Sequence, residues 1–401
     1  MKMFDYILKT NDFESILINK AKGSWFWDVD GKKYLDCESG MWCCNLGHNH
    51  PKIVEAIKNQ LSEISHRNGR FLTPITLEAA EEVLKFFPHK YDKITFLSSG
   101  TEAVEFAINI AKKITNRDKL LSLSDSYLGA YWQAEASSYT SKESKLKIPY
   151  CKNQLGNCDC LDKYSFVIDE IFQNESSAPA CFILEPIMVS CGIYKPCSNF
   201  IRYLNEKIHE VNGLLIVDEV TTGFGRAGFK FGYQHFKLNP DVIAIGKALG
   251  NGYPISAVIT NSSLESKCNH TDLHYVQSHQ LDPLGAAFAK AVVNVYDEEK
   301  IIEKISSKIN DLKKFFESLS DPYIKEARSF GMIFALQLQQ IKNLSSENLV
   351  IKLKDLLMKE GIMVGISLRK ELLRFLPPLN ISQSEIEFLK EKLTYVFKSK
   401  I

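Results

Sequence analysis

Lys247 stands alone between two short apolar stretches in the run DVIAIGKALGNGYPISAVIT (residues 241–260), with Gly246 before it and Gly250 and Gly252 after it. The β-branched content of 241–245 and 254–260 predicts two buried strands. A lysine held between an apolar strand and a glycine-rich turn is partly desolvated. Loss of water disfavours the ammonium, lowers the pKa and leaves a free amine able to form a Schiff base. The competing use of such a residue is an ammonium that snorkels to solvent. What separates the two is whether other groups at the same sheet edge complete a chemistry.

Three stretches offer such groups. After the strand predicted at 93–97 comes Ser98-Ser99-Gly100-Thr101-Glu102, leading into a helix with apolar Val104, Ala107, Ile108, Ala111 and Ile114. Small hydroxyl residues and a glycine at a helix N-terminus make a phosphate cup, and the same residues would also serve as a plain N-cap box. The strand at 214–217 runs into Asp218-Glu219, and the strand at 181–184 into Glu185-Pro186. An acid at the end of a buried strand is costly unless a cation pairs with it. Cup, buried acid and buried lysine together match pyridoxal phosphate: the cup takes the phosphate, the carboxylate keeps the pyridine nitrogen protonated, and the lysine forms the imine. No G-x-G-x-x-G follows an early strand, as a nicotinamide-binding fold would require.

The elements that must position these residues alternate. Strands are expected at 93–97, 120–124, 181–184, 214–217, 242–245 and 255–259, with helices such as 102–114 and 199–210 between them. That pattern predicts an α/β fold with a mostly parallel sheet covered on both faces, and ligands in such sheets bind at the carboxyl ends of strands. Before it lie a hairpin turning at Asp30-Gly31, a helix from Pro51 whose buried face is Ile53, Val54, Ile57, Leu61 and Ile64, and a helix at 76–87. After residue 286 the texture becomes Lys/Glu-rich, with helices at 286–319 and 346–360 and short strands at 331–338, 362–366 and 372–376. The expected division is an N-terminal segment (1–50) contributing to a small α+β domain, a large cofactor-binding domain (51–285) and the rest of the small domain (286–401). A chain of 401 residues suits two such units. The net charge of +1 gives no field for nucleic acid or anionic membrane. The N-terminal MKMFDYILKTNDF has no apolar run of signal or membrane-span type. The ten cysteines include no C-x-x-C pair; Cys151, Cys158 and Cys160 form no zinc set, and neither do His48 and His50. The expectation is a cytoplasmic protein with reduced thiols and no metal.

From about residue 23 to 381 the chain resembles the class III aminotransferases of pyridoxal-phosphate fold type I. The resemblance is carried, in order, by WDVDGKKYLD (27–36), NLGHNHP (45–51), SGTEA (99–103), DEVTTGFGRAG (218–228), GKALGNGYP (246–254) and LRFLPPL (373–379). It implies that Lys247 is the Schiff-base lysine and proton carrier, that Asp218 pairs with the pyridine nitrogen, and that Val220 packs on the ring. It also implies that Ser99, Gly100 and Thr101 hold the phosphate, that Glu185 borders the cofactor, and that Tyr127 in DSYLG stacks on the ring. Ser278 falls where the family has a threonine reaching the phosphate of the neighbouring subunit, which implies a homodimer with shared sites.

The chain departs from the family pattern at Leu128 (usually histidine), at Thr221 (usually glutamine) and in IMVSCG (187–192). For Thr221 the expectation is a water-mediated contact to the cofactor. Arg374 matches the carboxylate-binding arginine, with a surface pair to Glu371 as its alternative use. Trp42 is expected at the substrate pocket, favouring apolar or extended amines. Arg67 and Arg70 either bind a second carboxylate or lie in solvent. The implied activity is transfer of an amino group from an amine or amino acid to a 2-oxo acid by a ping-pong cycle. A racemase, epimerase or decarboxylase of the same fold would use the same lysine.

Overall fold

The structure, a computed structural model, describes every residue except 1–5, 9, 11–12, 131–133, 135–144, 149–158, 174–177, 342–343 and 400–401. Cys151 and Cys158 therefore lie outside the described residues. The N-terminal strands β1 (Ile18–Lys22), β2 (Trp25–Asp28) and β3 (Lys33–Asp36) form the expected antiparallel hairpin, with Gly31 at φ 85° in its turn.

The central sheet contains β4 (Lys93–Leu97), β5 (Leu120–Leu123), β6 (Lys145–Ile148), β7 (Cys181–Leu184), β8 (Leu214–Asp218), β9 (Val242–Ile245) and β10 (Ser256–Thr260), in the order β4-β10-β9-β8-β7-β5-β6. β10 runs antiparallel to both its neighbours and the other pairs are parallel. The runs LLIVD and VIAI are buried along their whole length because helices cover both faces of the sheet.

The C-terminal part supplies β11 (Ile324–Phe330), β12 (Ile333–Leu338), β13 (Ile362–Met363), β14 (Gly365–Ser367) and β15 (Leu372–Phe375). β11, β12, β15 and β14 make an antiparallel sheet, while β13 pairs in parallel with β3 and so joins the C-terminal part to the N-terminal hairpin. The helical stretch expected over 286–319 is two helices, Pro283–Glu298 and Ile301–Ser318, broken where Lys300 turns left-handed at φ 52°. The first is buried nearly all round, while the second has one buried face of Ile301, Ile305, Leu312 and Phe316. Each wants a different neighbour, so the chain must re-aim between them. A final helix, Gln383–Ser399, was not expected. Of the face predicted for the helix Pro51–Glu63, Ile53 is buried but Leu61 and the following Ile64 are exposed.

One side chain ties these parts together. Arg226 is fully buried and donates to Met332 O (3.0 Å), Pro377 O (2.6 Å), Asn45 Oδ1 (2.7 Å) and Ser39 Oγ (3.2 Å). Burial pulls its guanidinium down to about 10. Arg226→Met keeps the volume but leaves those acceptors without a donor, at about 1–3 kcal/mol for each orphan. The expected net loss is about 3–5 kcal/mol, seen as a lower urea midpoint; an unchanged midpoint would remove the clasp from this account.

Candidate active site

Lys247 begins a short 3-10 turn directly after β9, with φ 41° following the extended Gly246. A non-glycine residue there is strained, and such strain concentrates at functional positions. Its Nζ donates to Thr221 Oγ1 at 2.5 Å and lies 4.7 Å from the centre of the Trp42 ring. Desolvation lowers its pKa, opposed by the nearby Cys43, Asp218 and Glu185. The amine is thus biased toward its neutral, nucleophilic form.

Two buried acids face this lysine from the neighbouring strands. Asp218 ends β8, and its Oδ1 accepts from Val220 N at 2.9 Å. Burial pushes it up to about 6, the mark of a carboxylate short of a cation. Glu185 follows β7 and accepts from Tyr127 N (3.1 Å) and Val189 N (3.3 Å), and burial lifts it to about 8. Glu185 thereby fixes the backbone that presents Tyr127, whose ring is partly open to solvent. The adjacent Glu219 turns away from the cleft and accepts from Thr222, Gly232 N and Tyr233 N, bracing the loop after β8.

The helix Gly100–Thr115 starts at the same rim. Ser99 caps it, its hydroxyl accepting from Glu102 N at 3.2 Å, while Ser256 Oγ donates to Ser99 O at 2.6 Å. The Ser99 hydroxyl is thus engaged as the helix cap, and the first-turn N–H groups of Gly100 and Thr101 project from the helix end. A Cβ on Gly100 would meet Val220 Cγ1 at 2.7 Å, so the bare glycine brings the helix end against the loop after Asp218. Thr101 Oγ1 accepts from Ala130 N at 3.1 Å.

The opposite wall comes from the N-terminal and C-terminal segments. Ser39, Gly40, Met41 and Trp42 are all left-handed, at φ 47°, 56°, 64° and 67°. This costs the non-glycine residues about 1–2 kcal/mol each. The turn is held by Asp36 Oδ2, which accepts from Gly40 N at 2.7 Å, and by Trp42 N donating to Glu38 O at 2.6 Å. It sets the Trp42 ring beside both the Lys247 amine and the Arg374 guanidinium, the latter 4.9 Å from the ring centre. Arg374 does not pair with Glu371, which accepts from Ser346. It approaches the buried Glu38 instead, at 3.9 Å, and burial lifts Glu38 to about 7. Arg374 Nε is buried with no acceptor among the described residues.

The structure thus brings Lys247, Asp218, Glu185, Val220, Gly100 and Trp42 around one cleft, with Arg374 on its wall. Ser278 is exposed on a loop. Arg67 neither lies in solvent nor faces this cleft. It is buried and donates to Gln280 O (2.6 Å) and Leu281 O (3.3 Å), whereas Arg70 is exposed. Thr221 bonds Lys247 directly, a contact its place in the sequence did not reveal. Glu38 and Arg226 were also missed, and the only available signal was their place inside or beside matched motifs.

These residues suit pyridoxal phosphate on their own chemistry. A desolvated lysine stands beside a carboxylate that lacks a cation, and an open helix N-terminus sits at the same rim. This defines an enzyme that handles amines through a lysine-bound carbonyl cofactor. The chain belongs to the class III aminotransferases, whose family model matches residues 7–397. It is 31% identical over 374 residues to the [LysW]-aminoadipate semialdehyde/glutamate semialdehyde transaminase of Sulfurisphaera tokodaii, covering 93% of this chain and 92% of that one. It is 30% identical over 392 residues to the acetylornithine aminotransferase of Clostridium acetobutylicum, covering 95% and 96%.

Among solved structures it superposes on the taurine:2-oxoglutarate aminotransferase of Bifidobacterium kashiwanohense, in complex with PLP and glutamate, with a TM-score of 0.89 at 24% identity, covering 99% and 97% of the two chains. An (S)-enantioselective omega-transaminase from Thermomicrobium roseum gives a TM-score of 0.87 at 23% identity, covering 97% and 95%. The fold is the fold type I architecture, and the enzyme is a pyridoxal-phosphate-dependent aminotransferase. Among the described residues no helix is long and apolar enough to cross a membrane.

Proposed function

We propose that Lys247 and Asp218 carry the transfer of an amino group from an amine or amino acid donor to a 2-oxo acid, with substrate held between Trp42 and Arg374. The observation that carries this is the meeting of Lys247 Nζ, Thr221 Oγ1 and the under-compensated Asp218 at the carboxyl edge of β8 and β9. When bound, pyridoxal phosphate supplies an electrophilic carbonyl and an electron sink for the bond broken at the amine-bearing carbon. Lys247 Nζ, its pKa lowered by desolvation, accepts the proton from that carbon and returns it, and Thr221 holds the amine in line. Asp218 provides the fixed negative charge opposite the pyridine nitrogen. Val220 packs against the ring, with Tyr127 on a backbone that Glu185 holds. Ser99, Gly100 and Thr101 bind the phosphate. Arg374, with an unpaired Nε, takes a substrate carboxylate, and Trp42 forms an apolar wall suited to an extended donor.

Under this reading residues 51–285 form the cofactor domain, and 1–50 with 286–401 form the smaller unit. The ten cysteines, none of them in a C-x-x-C pair, suit a reducing compartment, and we place the enzyme in the cytoplasm. The deciding experiment follows ¹⁵N from a labelled donor. Label appearing on a 2-oxo acid supplied as acceptor supports transamination. Label that stays on the donor's own carbon skeleton, with inversion or loss of its carboxyl group, points to a racemase or decarboxylase.

The active form is proposed to be a homodimer in which Ser278 reaches the neighbouring subunit's phosphate. Support comes from the exposed apolar residues Leu61, Ile64, Phe71, Leu72 and Val276. The loop of Phe71 and Leu72 is clasped to the segment after Ser278 by Arg67. Ser278→Ala is expected to weaken cofactor retention by about 0.5–3 kcal/mol, the worth of one hydrogen bond to a charged group. Subunits carrying Ser278→Ala and Lys247→Ala are then mixed. One site of the heterodimer collects both defects and the other has intact Lys247 and Ser278, so activity rises above either parent. Demonstrated exchange without recovery would return Ser278 to its own subunit.

A further inference from the structure

Asp282 occupies the N-cap of the helix Pro283–Glu298, yet its side chain accepts nothing from the first turn of that helix. An aspartate there ordinarily bonds a first-turn N–H. Here both oxygens turn to imidazoles. His66 Nδ1 lies 2.9 Å from Oδ1, and His279 Nδ1 lies 2.9 Å from Oδ2. The carboxylate is 9% exposed, while both imidazoles reach solvent. The frame around them is rigid. The buried Arg67 ties the residue after His66 to Gln280 O and Leu281 O, and Thr76 Oγ1 donates to Leu281 O at 3.3 Å.

We propose that His66, His279 and Asp282 form a binding site for a first-row divalent cation, with zinc as the first candidate. Their three ligating atoms lie within 4.8 Å of one another. Tetrahedral zinc with bonds of about 2.0–2.2 Å needs ligand-to-ligand edges of about 3.3 Å, so the 2.9 Å contacts must open slightly and the widest separation, at most 4.8 Å, must close by rotation of the two solvent-reaching imidazoles. Two imidazoles and a carboxylate suit zinc and its neighbours, whereas magnesium and calcium prefer oxygen alone. The remaining positions face solvent or an adjoining chain. The ligands come from segments 216 residues apart, so the spacing of cysteines and histidines along the chain carries no sign of them. His279 directly follows Ser278, so a bound cation would also fix the segment that presents Ser278.

The competing state is a metal-free latch in which each Nδ1–H donates to Asp282, and zinc titration of the chelator-treated holoenzyme separates the two. Equilibrium dialysis is expected to show one zinc per chain, lost as pH falls because a ligating imidazole must be unprotonated. Cobalt in the same site should give visible absorption bands. His66→Asn, His279→Asn and Asp282→Asn should each weaken binding by at least about tenfold, the least seen when a supporting residue of a metal site is lost. Zinc should raise the thermal midpoint of the parent and not of the variants. Asp282→Asn keeps a residue able to cap the helix, so weaker binding in a folded variant cannot be assigned to unfolding. No zinc retained at about 100 µM free metal, well above a micromolar dissociation constant, overturns the proposal. So does uptake that all three variants share with the parent.

Discussion

Lys247→Ala is expected to abolish amino transfer, by at least about 10⁴-fold, the upper end of what a positioned proton carrier contributes. The same substitution removes the covalent hold on the cofactor. In the parent enzyme, borohydride should fix the cofactor to a single peptide containing Lys247. In the variant no peptide should carry it. The expectation rests on the local geometry of Lys247. Lys247 is delivered to the strand edge in a strained conformation, its ammonium is desolvated, and Thr221 aims its Nζ. Lys370 makes a useful comparison, since its Nζ bonds Asp125 at 3.3 Å, close in sequence to Tyr127. A variant still labelled at Lys370, or at any other lysine, would overturn the assignment of Lys247. So would turnover near the parent rate.

The parts of the fold that could be read in advance were those fixed by local pattern. β7 and β9 fall where continuous apolar runs put them, because strands buried on both faces need no partner-specific signal. Lys247, Asp218 and Glu185 were legible for a related reason. A charged residue at the end of a buried strand is conspicuous, and the edge of the sheet is where such strands end. What escaped notice depends on distant segments. The break at Lys300 is set by the different neighbours of the two helices it separates, and its polar surroundings look like ordinary helix surface. Leu61 and Ile64 satisfy the period of a buried face, but among the described residues none covers them. Glu38 looks like a loop residue until β14 and β15 fold beside it and bring Arg374 within 3.9 Å. Arg226 lies inside a matched motif, yet its acceptors come from residues 39, 45, 332 and 377.

Asp218→Asn carries the second large effect and tests the electrostatics rather than the covalent chemistry. The asparagine retains the shape of the side chain and can still accept from Val220 N, so the cofactor should remain bound. The fixed negative charge is lost, and with it the protonated state of the pyridine nitrogen. A preorganised charge of this kind is worth about 10²–10³ in rate, so turnover should fall at least about a hundredfold. A stability measurement supplies an independent check. Burial raises the Asp218 carboxyl of the cofactor-free protein from 3.8 to about 6. Below that window Asp218 is neutral in both folded and unfolded chains. Between the two values the unfolded chain gives up a proton that the folded chain keeps, so this residue's contribution to stability falls as pH rises and levels off above about 6. A cation beside the carboxylate removes the penalty by favouring its charged form. The gain in thermal midpoint on adding cofactor should therefore be larger at about pH 8 than at about pH 5 in the parent enzyme. In Asp218→Asn, which has no proton to lose at this position, that pH dependence should shrink. If the variant shows the parent's pH dependence together with near-parent turnover, the cofactor draws its counter-charge from another acid, and Glu185, across the same cleft, would be the residue to replace next.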